Sequence, residues 1–128
     1  MRLLPGKRPT DLGVSNGRFT AAPTRKPNWV SSQVQPSDPH HIAPLTAKGP
    51  DAMAQLRRKL EAMPRVTIVK AEGDYLNAEF ESALMGYVDD VEFLRAGTII
   101  HVRSSSRLGH SDLGANRKRI EAIRAALA

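Results

Sequence analysis

Two stretches of the chain carry apolar residues at the three- and four-residue spacing of an amphipathic helix. The first predicts a helix over residues 51–63, ended by Pro64, whose apolar face holds Met53, Leu56, Leu60 and Met63. The second predicts a helix over about 112–127, whose apolar stripe is Leu113, Ile120, Ile123 and Leu127. Ser111 or Asp112 is available as the N-cap of this second helix.

Between these helices, four stretches either alternate apolar and polar residues or are rich in β-branched side chains, as strands are. They predict strands over residues 65–70, 75–80, 87–94 and 98–105. Because short turns join the strands, we expect an antiparallel meander with both helices on its apolar face. The predicted fold class is therefore α+β, in the order α-β-β-β-β-α.

The first 48 residues differ in composition from the rest of the chain. They contain seven of the nine prolines, which disfavour long helices. They also contain spaced apolar residues, among them Leu12, Phe19, Trp29 and Ile42, which are typical of an extended segment docked on a folded body. We therefore expect an extended, partly flexible N-terminal segment over residues 1–27 that wraps a single α+β domain over residues 28–128.

The net charge of +6 lies almost entirely in this N-terminal region. Residues 1–48 carry seven lysines and arginines against two aspartates, a net +5, whereas residues 49–128 carry twelve against eleven acids, a net +1. A folded face that binds duplex nucleic acid would carry a basic stripe, so nucleic acid is not an expected partner. The basic N-terminal segment leaves contact with a membrane surface open.

The absence of cysteine from the sequence excludes disulfides, thiolate metal sites and a cysteine nucleophile. His40 and His41 lie beside Asp38, but neighbouring side chains of an extended segment point apart, so we expect neither a metal site nor a cofactor. No apolar stretch is as long as a membrane-spanning helix, and the apolar run at the start is too short for a signal peptide. We expect a soluble, cytoplasmic protein by default, unless an export segment was removed.

Alternation divides the last two predicted strands into an apolar and a polar face. A two-residue turn at 96–97 places Glu92 opposite His101, and in the same register Asp90 lies opposite Arg103. With the preceding strand included, the polar face holds Asn77, Glu79, Asp90, Glu92, His101 and Arg103. Two interpretations stay open: cross-strand charge pairs on a solvated face, or a groove partly covered by the N-terminal segment, where ligand contacts are expected.

The end of the last strand and the start of the last helix together suggest an anion site. The guanidinium groups of Arg103 and Arg107, two nearby serines and the first backbone amides of the helix suit a carboxylate or a phosphate. The alternative is that both arginines pair internally with aspartates. The candidate ligand-binding residues are Arg103, Arg107, Ser104, Ser106, Asp90, Glu92, His101 and Asn116.

The same strands contain residue types that occur in hydrolases. The serines at 104–106, with His101 and Asp90, are the residue types of a catalytic triad, although no nucleophile-elbow sequence surrounds them. Glu79, Asp90 and Glu92 could supply an acid–base pair of the glycosidase kind.

An ordered string of motifs resembles the bacterial and plastid domain-of-unknown-function family 1499. The motifs include Pro9-Thr10-Asp11-Leu12-Gly13, Asn28-Trp29-Val30-Ser31-Ser32, His41-Ile42-Ala43-Pro44-Leu45, Asp74-Tyr75-Leu76-Asn77-Ala78-Glu79-Phe80, Val88-Asp89-Asp90-Val91-Glu92-Phe93, His101-Val102-Arg103-Ser104-Ser105-Ser106-Arg107 and Ser111-Asp112-Leu113-Gly114-Ala115-Asn116-Arg117. The resemblance implies a single domain that includes the N-terminal segment, and leaves a cell-envelope location open. It implies no activity. This chain has Trp29 where the family commonly has cysteine and Asn77 where it often has histidine, so cysteine or histidine chemistry at those positions is not available here.

Three functions are compatible with the sequence. The leading hypothesis is a non-catalytic binding module for an anionic small molecule or an acidic segment of a protein partner, held by Arg103 and Arg107. The second is a small hydrolase that uses the carboxylates or His101. The third is a structural or assembly factor at an envelope surface, in contact with anionic lipid through the first 48 residues. The sequence does not indicate an oligomeric state.

Overall fold

Across residues 5–21, 23–109 and 112–128, which the computed structural model describes, the chain forms two helices, a six-stranded sheet and a separate short hairpin. The helices are α1 (Ala52–Glu61) and α2 (Ala115–Leu127). The strands are β1 (Val14–Ser15), β2 (Arg18–Phe19), β3 (Trp29–Ser31), β4 (Leu45–Thr46), β5 (Val66–Glu72), β6 (Tyr75–Glu81), β7 (Val88–Ala96) and β8 (Ile99–Ser106). β1 pairs with β2, and the sheet has the order β3-β8-β7-β6-β5, with β4 also paired to β8. The predicted α+β class is confirmed, but the sheet has more strands than the four predicted.

The two additional strands of the sheet come from the proline-rich region. β3 pairs antiparallel with the end of β8, and β4 pairs antiparallel with its start. Each is only two or three residues long, and all three residues of β3 are buried. Such short strands show no alternation of apolar and polar residues, so hydrophobic periodicity does not reveal them.

The first predicted helix is confirmed as α1, with ends one or two residues inside the predicted bounds. Leu56 and Leu60 are fully buried, and Met53 and Met63 pack against the same core. The spacing places Met53, Leu56 and Leu60 on one face of the helix, which is the face that covers the sheet, and Met63 follows just after the helix ends.

The second predicted helix begins later than expected, at Ala115. Asp112 lies before the helix, where its carboxylate accepts hydrogen bonds from the backbone N–H groups of Gly114 (2.9 Å) and Asn116 (3.1 Å). Leu113 does not join the apolar stripe, because it is 88% exposed and has a left-handed φ of 53°. Ser111, the other predicted cap, lies outside the described residues. Ile120 and Ile123 are buried as predicted.

The turn between β7 and β8 is one residue later than the sequence predicts. Ala96 pairs with Ile99, so the turn residues are Gly97 and Thr98, and Gly97 has a φ of 64°. Glycine in the first position of a two-residue turn adopts positive φ without strain, which favours this alignment. The register shifts by two residues, so Glu92 faces Arg103 and Asp90 faces Ser105. An even shift leaves every side chain on its predicted face.

The apolar core lies between the sheet and the two helices. Leu76, Ala78, Val91, Phe93, Ile100 and Val102 of the sheet pack against Ala52, Leu56, Leu60, Ile120 and Ile123 of the helices. Burial of these side chains is the main stabilising contribution to the fold, at about 1.5–3 kcal/mol for each large aliphatic or aromatic side chain.

The opposite face of the sheet is covered by residues 5–21, here called the cover segment. Its β1–β2 hairpin is held by Gln33, whose Oε1 accepts the Phe19 N–H and whose Nε2 donates to the Gly17 carbonyl, both at 2.9 Å. Nearer its start, Arg8 donates to Glu79 at 2.7 Å. The sheet therefore lies between a layer of helices and a layer of extended chain.

Candidate functional site

The polar face of the sheet is buried beneath the cover segment. Five side chains of this face are no more than 9% exposed, and His101 is half-buried. The five are Asn77, Glu79, Asp90, Glu92 and Arg103. Burial of several charged groups is costly unless each is paired and hydrogen-bonded. Their partners therefore decide what this face can do.

Arg107 is fully engaged by two buried carboxylates. Its Nε and Nη2 donate to the two oxygens of Asp90, both at 2.8 Å, and Nη2 also donates to Glu79 at 2.6 Å. Its side chain is 4% exposed. These hydrogen bonds, first those to Asp90, raise the pKa of Arg107 above its usual value. Arg107, Asp90 and Glu79 form an internal network that uses the Nε and Nη2 donors of this guanidinium, while Nη1 donates to the Pro5 carbonyl at 3.4 Å.

Glu92 is held through one of its two oxygens. Oε2 accepts the Tyr75 hydroxyl at 2.6 Å and the Gly13 N–H of the cover segment at 2.8 Å. Oε1 has no hydrogen-bond partner among the described residues. Burial raises the pKa of Glu92, and outweighs the hydrogen bonds and the attraction of Arg103 that lower it. Burial and the hydrogen bond to Glu92 likewise raise the pKa of Tyr75.

Arg103 differs from Arg107 in having few contacts. Its Nη1 lies 3.9 Å from Glu92 Oε1, and its side chain donates no hydrogen bond to any residue that the structure describes. Burial lowers its pKa from the usual range of arginine. Arg103 lies within β8 and Arg107 directly follows the strand, yet the two side chains differ: Arg107 donates to two carboxylates, whereas Arg103 donates to none among the described residues.

A small cleft of about 70 Å³ opens beside Arg103. Its apolar walls are Phe19 and Ala21 of the cover segment, with Pro23 and Trp29 from the following residues. Arg18 lies in the same cleft and adds a second cation, although it also donates to the Gln33 carbonyl at 2.9 Å. Low-polarity walls around two guanidinium groups strengthen their attraction for an anion.

His101 lies in a neighbouring, shallower cleft of about 500 Å³, which shares Arg18 and Gln33 with the first. Its Nδ1 is 3.0 Å from the Ser32 hydroxyl, which also accepts the Val102 N–H at 2.9 Å. Burial, with a smaller effect of Arg18, lowers the pKa of His101, so the ring is neutral near pH 7.

Ser104, Ser106 and Asn116 lie on the other side of the sheet, because alternate residues of β8 point to opposite faces. Asn116 is fully buried, and its side chain hydrogen-bonds to several polar groups on this side of the sheet. It accepts the Ser104 hydroxyl at 2.7 Å and donates to Ser106, to Asp112 and to the Asn28 carbonyl. The eight candidate residues therefore form two groups rather than one site. Arg103, Arg107, Asp90, Glu92 and His101 are beneath the cover segment, and the other three are beside α2.

The start of α2 already holds an anion of the protein itself. Burial alone would raise the pKa of Asp112, but hydrogen bonds from Asn116 and Gly114 outweigh it and lower the pKa. A carboxylate at this position satisfies the first N–H groups and the dipole of the helix. Nearby, Arg119 pairs with Asp89 at 2.7 Å. The part of the predicted anion site that uses this helix terminus is therefore filled internally.

Sequence reasoning missed four residues that shape this region. Tyr75 and Gly13 hold Glu92, Ser32 contacts His101, and Trp29 lines the Arg103 cleft. All four lie in the motifs that resemble the family, and Trp29 is in addition the single tryptophan of the chain. The other three contacts depend on the path of the N-terminal region, which local sequence pattern does not specify.

The histidines of the proline-rich region serve local structure. His40 stacks on Trp29 with ring centroids 3.8 Å apart, while its ring nitrogens contact Asp38 and the Lys26 carbonyl, each at 2.8 Å. His41 contacts the Val34 carbonyl. Within the described ranges, no three histidine or acidic side chains are grouped as metal ligands.

These features define an α+β domain that covers a charged sheet face with its own N-terminal region. The chain belongs to a family of proteins of unknown function, DUF1499, whose model matches residues 20–127. The family resemblance of the sequence motifs is thus confirmed. Neither a curated protein nor a solved structure matches the chain. In the parts of the chain that the structure describes, no helix is long and apolar enough to cross a membrane.

Proposed function

We propose that this protein is a non-catalytic binding module that holds an anionic group, a carboxylate or a phosphate, against Arg103. The observation that carries the proposal is the contrast between two buried arginines. Arg107 uses its donors on Asp90 and Glu79, whereas Arg103 donates no side-chain hydrogen bond within the described residues. These donors of Arg103, unused among the described residues, are free to bind an acceptor from a ligand, and a ligand that binds the folded protein in this way stabilises it.

The surroundings of Arg103 favour an anion over a neutral ligand. Arg18 supplies a second positive charge in the same cleft, and the aromatic side chains of Trp29 and Phe19 form apolar walls. Of the carboxylates that act on Arg103, Glu92 is the first and would oppose an incoming anion most, followed by Asp11 and Asp90. Since burial raises the pKa of Glu92, its neutral form is more accessible than that of an ordinary glutamate, and this reduces the opposition.

The size of the cleft limits what it can hold. A volume of about 70 Å³ admits one small charged group rather than a whole metabolite. The remainder of a larger ligand would lie in the adjoining cleft of about 500 Å³ beside His101 and Gln35. The ligand class that fits is therefore a small molecule or peptide with one terminal anionic group.

Titration of the wild-type protein with sodium acetate and with inorganic phosphate, followed by NMR of the arginine Nε–H groups, tests this proposal. We expect the Arg103 signal to shift and the shift to saturate. In Arg103→Met we expect the affinity of the probe to fall about tenfold or more, since a charge-assisted hydrogen bond contributes about 1.5–3 kcal/mol. Lys118→Met removes an exposed cation elsewhere and should leave the affinity unchanged. Equal losses in both variants, or no saturable shift at Arg103, would overturn the proposal.

A second candidate function, acyl hydrolysis, is favoured by the contact of Ser32 with His101. Neutral His101 can accept the hydroxyl proton at Nδ1 as Ser32 Oγ attacks an acyl carbon, and can then return the proton to the leaving group. The carboxylates Glu79 and Asp90 are not available for this role because both bind Arg107. Covalent labelling by a fluorophosphonate probe that is lost in Ser32→Ala, and kept in a variant of the exposed serine, Ser82→Ala, would support hydrolysis. No labelling of the wild-type protein would exclude it.

A further inference from the structure

Exposed apolar side chains are concentrated at one end of the sheet. Of the seven exposed large hydrophobic residues among the described ones, five lie in the loops that follow β6 and β8: Leu84, Met85, Tyr87, Leu108 and Leu113. We call these five the loop-end patch. Leu84 is 84% exposed and Leu113 is 88% exposed, values that are unusual for leucine in a folded protein. Clustering of this kind marks an interaction surface.

Both loops border the same cleft and have defined geometry. The loop between β6 and β7 is closed by hydrogen bonds between Ser82 and Tyr87, at 2.8 Å and 2.9 Å. Tyr87 and Leu108, one from each loop, line a cleft of about 550 Å³ that reaches Ala115 at the start of α2. The two loops therefore lie side by side at this end of the sheet, and each contributes an apolar side chain to the shared cleft.

Cations border this patch. A Cβ atom on Gly6 would lie 3.1 Å from Leu108 Cγ, so the chain bearing Lys7 and Arg8 runs directly beside the patch. On the other side, the Arg65 carbonyl accepts the N–H of Glu81, which places Arg65 at the start of the first loop. Lys7, Arg8 and Arg65 are all exposed. Arg8 also pairs with Glu79 at 2.7 Å. Of the acids at this end, Asp89 and Asp112 are used internally by Arg119 and by the start of α2, and Glu81 lies at the end of β6.

We infer that the loop-end patch is a membrane contact, in which Leu84, Met85 and Leu113 enter the interface of an anionic bilayer. Lys7, Arg8 and Arg65 then lie at the level of the lipid headgroups, and Tyr87 has the amphipathic side chain that is enriched at that depth. This inference is independent of the anion site at Arg103.

Charge complementarity favours a bilayer over a second copy of the chain. A symmetric dimer through this patch would juxtapose the same surface of two protomers, and would bring the two sets of bordering cations together. Like charges at a contact oppose association. An anionic lipid surface instead offers negative charge around an apolar interior, which matches cations around an apolar centre.

Co-sedimentation of the full chain with phosphatidylcholine vesicles, and with vesicles that also contain phosphatidylglycerol, tests the inference. We expect binding to the anionic vesicles and much weaker binding to the neutral ones. Leu84→Ser should weaken binding to anionic vesicles about tenfold, as expected for one apolar side chain withdrawn from an interface. Leu113→Gly should weaken it similarly. Val69→Ser, which changes an exposed valine on the β5 edge, should bind as the wild type does.

Three outcomes would overturn the inference. One is absence of binding to anionic vesicles. Another is wild-type binding by Leu84→Ser and Leu113→Gly, which would assign vesicle binding to the basic N-terminal region alone. The third is a wild-type dimer, measured by sedimentation equilibrium, that dissociates in Leu84→Ser without vesicle binding by either protein. That result would make the patch a contact between copies of the chain.

Discussion

Glu92 and Arg103 are register partners on β7 and β8, yet the nearest polar atoms of their side chains are 3.9 Å apart. One oxygen of Glu92 is fully used and the other has no hydrogen-bond partner among the described residues. Ionised Glu92 is thus buried beside an arginine that compensates its charge only in part, without a hydrogen bond. Asp90 of β7 and Arg107, which directly follows β8, are joined by two hydrogen bonds of 2.8 Å. Glu92 and Arg103 form no such hydrogen bond.

The free energy of unfolding should respond to pH through Glu92. Burial raises the folded-state pKa of this carboxyl above the ordinary 4.5, so its contribution to stability is fully present below pH 4.5 and is lost as the pH rises through the raised value. Glu92→Gln keeps a carbonyl acceptor for Tyr75 and Gly13 but cannot ionise. We therefore expect Glu92→Gln to have a higher melting temperature than the wild type at pH 7 and the same one near pH 4. A lower melting temperature at pH 7 would show that the ionised form stabilises the fold.

Removal of the Arg107 side chain should be strongly destabilising. Arg107→Met leaves Asp90 and Glu79 buried without their main partner, and breaking a buried charge network from one side costs about 3–5 kcal/mol. We expect a large fall in the urea midpoint. Arg8→Met is the matched control, because Arg8 also donates to Glu79 but its side chain is 60% exposed, and we expect little change. Similar effects of both substitutions would contradict the internal role of Arg107.

Asn116 is expected to stabilise the packing of α2 on the sheet. Asn116→Ala removes its hydrogen bonds to Ser104, Ser106 and the Asn28 carbonyl, and leaves the Ser104 O–H without its acceptor, at about 1–3 kcal/mol for the unsatisfied group. Chemical denaturation should show a loss of about 2–4 kcal/mol. The neighbouring Arg117→Ala removes an exposed contact to the Pro39 carbonyl and should change stability by no more than about 0.5 kcal/mol. An intact stability in Asn116→Ala would mean that water replaces its hydrogen bonds.

The sequence pattern was sufficient to predict the helices, the meander and the division of its faces. The 3.6-residue period of a helix and the two-residue period of a strand are local properties of the sequence. Leu56 in α1 and Phe93 in β7 therefore indicate the buried face of their own element, whatever the rest of the fold is. The predicted register of β7 and β8 is wrong by two residues, because the turn lies at Gly97–Thr98. The assignment of side chains to the two faces is still right, because any even shift preserves it.

The burial of the polar face could not be predicted in the same way. Glu79 and Glu92 alternate with apolar residues along their strands. This alternation is the same for a polar face in contact with water and for one that another segment covers. What buries them is a long-range contact with residues such as Arg8 and Gly13, more than 70 positions away in the chain. Long-range contacts of extended segments leave no periodic signature in the sequence. The anion site that the sequence predicts therefore combines residues from both faces of β8.

Leu113 should be a site where a substitution makes the protein more stable. Its φ of 53° is a left-handed conformation that costs a non-glycine residue about 1–2 kcal/mol, and its side chain is 88% exposed. Glycine adopts this conformation without strain but loses more entropy on folding, so Leu113→Gly should raise the free energy of unfolding by about 0.5–1 kcal/mol. Ala122→Gly, at an exposed position inside α2, should lower it by about 1 kcal/mol. If Leu113→Gly is more stable and yet binds anionic vesicles less tightly, the loss of binding cannot come from unfolding. Leu113 would then lower the free energy of unfolding, as expected of a side chain that serves binding rather than folding.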